Sequence, residues 1–146
     1  MFKGGMGKPR IVLADDHEII RRGIRSLLDI TSAWDVCAEA SNGREAVEKA
    51  VELKADLVIM DVSMPVMNGI DAARQIRAVS PSTKVVIFTM HDSPQITTAA
   101  REAGAVACLT KTTLGDNLRR VVAEVLAIDG PASGAPEKVA DGHTAA

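Results

Sequence analysis

The chain has 146 residues, enough for one domain with tails, and its 47% hydrophobic share suffices for one packed core. Only Phe2, Trp34 and Phe88 are aromatic, so the core must be aliphatic and the chain is poorly equipped to stack nucleic-acid bases. The formal net charge is −2 with both signs interspersed, which argues against a basic nucleic-acid-binding face.

Residues 1–8 are polar and glycine-rich, lack the apolar stretch of a secretion signal, and read as a disordered extension. Ile11–Ala14 is a short apolar run that stops at Asp15 and Asp16; Ile19, Ile20, Ile24, Leu27 and Leu28 then recur at helical spacing. Trp34–Ala40 reads as a second strand, Asn42-Gly43 as a turn, and Ala46, Val47, Ala50 and Leu53 as a short amphipathic helix. Leu57–Met60 is a third buried run, stopping at Asp61. After a loop with Pro65 and Gly69, a helix carrying Ile70, Ala73, Ile76 and Val79 ends before Pro81. Val85–Phe88 is a fourth run, stopping at Thr89. Ser93 caps the next helix, with Pro94 in its first turn, Ile96, Ala99, Ala100 and Ala103 as its apolar face, and Gly104 as its stop. Ala105–Leu109 is a weaker fifth strand, and Leu114, Leu118, Val121, Val122, Val125 and Leu126 line a last helix. From about Asp129 the composition turns to Gly, Pro, Ser and Ala, so 129–146 reads as a flexible linker or tail and 9–128 as the domain.

Apolar strands alternating with helices imply an α/β fold: a doubly wound, five-stranded parallel sheet covered on both faces, with strand order 2-1-3-4-5. Cys37 and Cys108 lie in apolar runs and read as buried free thiols, which fits a reducing cytosol. No apolar run is long enough to span a membrane.

In such a sheet ligands bind beyond the carboxyl ends of the strands. Those ends deliver Asp15 and Asp16, Asp61, Thr89 and, just past the fifth strand, Lys111. Three carboxylates on one rim repel each other; a pair at 4 Å costs about 4 kcal/mol at an effective dielectric near 20. Lys111 offsets part of this, and a hard divalent cation such as Mg²⁺ would offset the rest. A carboxylate beside Mg²⁺ can attack phosphorus and form an aspartyl phosphate, with the lysine and the threonine hydroxyl receiving the phosphoryl oxygens. His17, just after the first strand, reads as a capping or surface residue; His91 lies close enough to the rim to touch an incoming phosphoryl group. A haloacid-dehalogenase phosphatase would need a second aspartate where Ser63 stands, and a flavodoxin-like flavin binder would need a phosphate-cradling loop where Asp15 and Asp16 stand.

The run Ile11–Glu18, the stretch Met60-Asp61-Val62-Ser63-Met64-Pro65 with Asn68-Gly69, the run Val86–Asp92, and Ala103-Gly104-Ala105 followed by Leu109-Thr110-Lys111 together resemble response-regulator receivers. The Asp-Asp-His and Thr-Met-His-Asp forms are most similar to the NarL/FixJ (LuxR-type) subfamily. The resemblance covers residues 9–128 and implies a flavodoxin-like switch rather than a turnover enzyme. By that resemblance Asp61 is the phosphoacceptor, and Asp16 directly, Asp15 through water, Asp61 and the Ser63 backbone carbonyl hold Mg²⁺. Thr89 and Lys111 bind the phosphoryl group, and Ser63, His91 and Cys108 are modulators. The implied donor is a sensor histidine kinase or a small acyl phosphate. A phosphorylation-dependent homodimer is expected, with DNA reached only through a C-terminal domain that this sequence lacks, unless the chain acts as a single-domain receiver. Two positions depart from the family pattern. Cys108 stands where many receivers carry Tyr or Phe, so the usual threonine–aromatic coupling is not implied; Thr112 stands where proline commonly follows the lysine.

Overall fold

Each strand forms where a short aliphatic run lies between polar turns, and each helix where the apolar period lengthens to that of an α-helix. The computed structural model describes residues 7–91, 93–111 and 114–127, except the side chains of Leu114 and Asp116. The tail at 129–146, Thr112, and all of the N-terminal extension but Gly7 and Lys8 lie outside the described residues. The strands are β1 (Arg10–Ala14), β2 (Asp35–Ala40), β3 (Leu57–Asp61), β4 (Lys84–Thr89) and β5 (Ala107–Thr110). The helices are α1 (Glu18–Asp29), α2 (Gly43–Leu53), α3 (Gly69–Val79), α4 (Pro94–Glu102) and α5 (Leu114–Leu126). All strand pairs are parallel and the order is β2-β1-β3-β4-β5, as the sequence predicts.

The strand pleat sorts the core into two layers. Val58, Met60 and Ile87 face α2, α3 and α4, while Leu57, Ile59, Val86 and Phe88 face α1 and α5. Burial on both faces explains why β3 carries no polar residue before Asp61.

Several local expectations shift. Trp34 lies just before β2 rather than in it. β5 starts at Ala107, not Ala105, because the Ala105 amide closes α4 on the Ala100 carbonyl (3.0 Å) and Val106 bonds to Val85 (2.8 Å). Ile19 is not on the core stripe of α1 but 80% exposed; Ile24 and Leu28 are buried there, with Ile20 and Leu27 beside them. Cys108 is buried as expected, whereas Cys37 is only half-buried; neither is in a disulfide. Gly104 ends α4 with φ +108°, a conformation that suits glycine.

Candidate functional site

β1 and β3 are neighbours whose chains leave to opposite faces, α1 to one and α3 to the other, and this opens a crevice at their carboxyl ends. Asp15 directly follows β1 and is fully buried, its amide held by the Ala40 carbonyl at 3.0 Å. Its Oδ1 accepts the His17 amide at 2.8 Å. His17 does occupy the N-cap position of α1, but its ring does not cap the helix: Nδ1 lies 2.9 Å from Asp15 Oδ1 and 3.2 Å from the half-exposed Asp16 Oδ1.

Asp61 ends β3 and is 3% exposed. Its Oδ1 accepts the Ser63 amide at 3.3 Å. Gly69 packs so closely below it that a Cβ there would collide with the Asp61 carbonyl oxygen. Lys111 follows β5, its amide bonded to the Thr89 carbonyl at 2.8 Å. Its Nζ reaches both carboxylates, 3.3 Å from Asp15 Oδ2 and 3.3 Å from Asp61 Oδ2, and lies 5.2 Å from the centre of the Phe88 ring. Thr89 is buried at the end of β4, where its Oγ1 accepts the His91 amide at 3.2 Å. Ser63 and His91 are exposed beside this rim, while Cys108 lies in the core layer under α4.

Burial, then the Asp15 charge, push the Asp61 carboxyl above its ordinary value; Lys111 and the Ser63 amide pull the other way without prevailing. Ionised Asp61 is therefore short of positive charge. Asp15, Asp16, His17 and Asp61 each offer a ligand atom within 4.8 Å of the others, and the three carboxylates are the hard oxygen donors that suit Mg²⁺. The residues present fit such an ion.

The structure adds groups that residue type alone did not reveal. Arg21 Nη1 donates to the Asp15 carbonyl oxygen at 2.6 Å and its Nε to Glu39 at 2.8 Å, while Arg25 Nε reaches the other Glu39 oxygen at 3.0 Å. The available signal was Glu39, an acid set between the apolar Ala38 and Ala40, with two arginines four apart on α1. The loop after Asp61 is also held from α2, since the Gly43 amide donates to Met67 O at 2.9 Å. Within that loop Val66 takes φ +68° in a tight turn closed by Met67 N to Pro65 O at 2.6 Å, a strained conformation for a β-branched residue.

A family model described as the response regulator receiver domain matches residues 11–123. The transcriptional regulatory protein LnrK of Bacillus subtilis is 40% identical over 116 residues, covering 80% of this chain and 53% of LnrK. The chemotaxis protein CheY of Thermotoga maritima is 40% identical over 100 residues, 68% of this chain and 82% of CheY. Among solved structures, a two-component response regulator of the LuxR family from Aurantimonas sp. SI85-9A1 superposes with a TM-score of 0.80 at 32% identity, over 96% of this chain and 100% of that one. The chain thus spans about half the length of a transcription regulator such as LnrK.

Proposed function

The chain belongs to the response-regulator receiver family of two-component signalling, and from that premise we propose that Asp61 accepts a phosphoryl group from a phosphohistidine on a sensor kinase or from a small acyl phosphate. The observation that carries the reading is the convergence of Asp15, Asp16 and Asp61 with Lys111 at the carboxyl edge of the sheet. Asp16, Asp61 and the Ser63 carbonyl would hold Mg²⁺, with Asp15 acting through water. When bound, Mg²⁺ neutralises charge shared between the carboxylate and the phosphoryl oxygens.

The chain's own groups do the rest. An Asp61 carboxylate oxygen attacks phosphorus as the bond to the donor's imidazole nitrogen breaks, and the electron pair leaves with that ring. Lys111, already 3.3 Å from Asp61, faces the incoming negative charge. The Thr89 hydroxyl, which accepts from His91, keeps its own hydrogen to donate to a phosphoryl oxygen. Ser63 and His91, exposed beside the rim, and Cys108, at the position where many receivers carry a switch aromatic, are the modulators of this site. The movement of Thr89 toward the phosphoryl oxygens reshapes the loop from Met90 to Pro94 and switches partner preference.

The output is transcription, reached through a DNA-binding domain of a longer cytoplasmic protein; the reading is supported by similarity to a transcriptional regulatory protein, LnrK, of which the match covers 53%. The similarity to CheY, of which the chain spans 82%, favours a second reading in which the receiver acts alone through protein contacts. Treatment with acetyl phosphate and Mg²⁺, followed by intact-mass measurement, tests the chemistry. One phosphoryl group should appear on wild type and not on Asp61→Asn. A wild type that stays unmodified, or a variant modified equally, overturns the assignment.

A further inference from the structure

The backbone of the acidic pocket is itself held by hydrogen bonds. Asp15 is pinned on both sides: its amide bonds to Ala40 O of β2 at 3.0 Å, and its carbonyl, in the peptide that joins it to Asp16, accepts Arg21 Nη1 at 2.6 Å. That peptide plane sets the direction in which Asp16 leaves the chain. Arg21 starts one helical turn after His17 on α1, and its side chain is 17% exposed. A cation this close to a cation-binding pocket would repel the ion it helps to bind. Glu39 answers that problem. It lies on β2 opposite Leu13 of β1, takes the Arg21 Nε on one oxygen at 2.8 Å, and takes Arg25 on the other at 3.0 Å. Hydrogen bonds from Arg21 and then Arg25 hold the Glu39 carboxyl below its usual range, so it stays ionised.

We infer that Arg21 is a positioning residue for the cation pocket, fixing the Asp15–Asp16 peptide by hydrogen bond while Glu39 cancels its repulsion of the cation. This rests on the reading that the pocket takes Mg²⁺. The two possible effects of Arg21 have opposite signs. If Arg21 acted by charge alone, removing it would tighten Mg²⁺ binding; if it positions the ligands, removing it loosens binding.

Titration calorimetry of Mg²⁺ into the full chain measures this, with circular dichroism in EDTA reporting the fold of each variant. Wild type must bind Mg²⁺; if it does not, the metal reading itself fails and this inference falls with it. Given wild-type binding, Arg21→Met should weaken affinity by roughly tenfold. Arg21→Lys, which keeps the charge without the planar fork, should fall between the two. Arg22→Met removes a neighbouring charge from an exposed pair with Glu18 and should leave affinity unchanged. A folded Arg21→Met with unchanged or tighter affinity overturns the proposal. Should Arg21→Met fail to fold, Arg21→Lys decides: weaker binding supports positioning, and wild-type affinity overturns it.

Discussion

Asp61 is held in the fold at an energetic cost, because burial and the Asp15 charge outweigh the help of Lys111. Its carboxyl titrates higher in the folded chain than in the unfolded one, so the folded state binds more protons between those two values. Stability therefore falls as pH rises through that window, and the loss is complete above the folded-state value. Asp61→Asn should raise the urea midpoint of the metal-free protein at pH 7, with the gain vanishing as pH drops below the ordinary carboxylate range. Mg²⁺ should stabilise wild type more than the variant, since the proposed site exists only in the folded state. Equal midpoints at pH 7 would show that the buried charge costs nothing. These rim residues were legible in the sequence because each ends an apolar run. Arg21 was not: a guanidinium on a backbone carbonyl leaves no pattern of residue types, and Glu39 is distant from it in sequence. The ring of His17 turned to the carboxylates for a similar reason, since two acids compete there with the helix end.

The helices show how short-range chemistry sets their starts. Asn42, Asn68 and Ser93 each cap a helix by accepting the amide three residues on, at 2.9, 2.8 and 3.3 Å. Ser93→Ala should cost about 1 kcal/mol, read in urea unfolding, with faster amide exchange confined to the first turn of α4. A matching loss of protection in α2 would show that the cap is not local. Gly69 starts α3 against the Asp61 carbonyl, so Gly69→Ala must push that strand end aside. Overpacking of this kind costs roughly 1–3 kcal/mol, and it should slow phosphorylation by acetyl phosphate as well as lower the urea midpoint. An unchanged rate would mean that Asp61 does not depend on this contact. Caps and glycine stops were readable because Ser93, Pro94 and Gly104 act on their own neighbours. The start of β5 was not, because a long-range bond from Val106 to Val85 and the closing bond of α4 divide the alanine-rich segment between them.

Across the molecule, strand order was readable because buried parallel strands and helical crossovers leave few topologies. Which side of a helix meets the sheet was less so, and Ile19 shows why: an apolar residue one position off the stripe has the right composition and the wrong angle. The face of α4, β5 and α5 is where the proposed switch would be read. Light scattering with beryllofluoride and Mg²⁺ should show a shift from monomer toward dimer, and identical mass in both states would count against dimerisation as the output. Cys108, in the core layer with Ala100 and Ala103, stands where many receivers carry Tyr or Phe, so no aromatic ring is available at that position to move with Thr89. Lys111 has a further consequence. One ammonium tied equally to Asp15 and Asp61 bridges two adjacent strands from a third. A newly made chain can therefore close its sheet with a built-in counterion, and it need not wait for a metal from its surroundings before it is folded and ready to receive one.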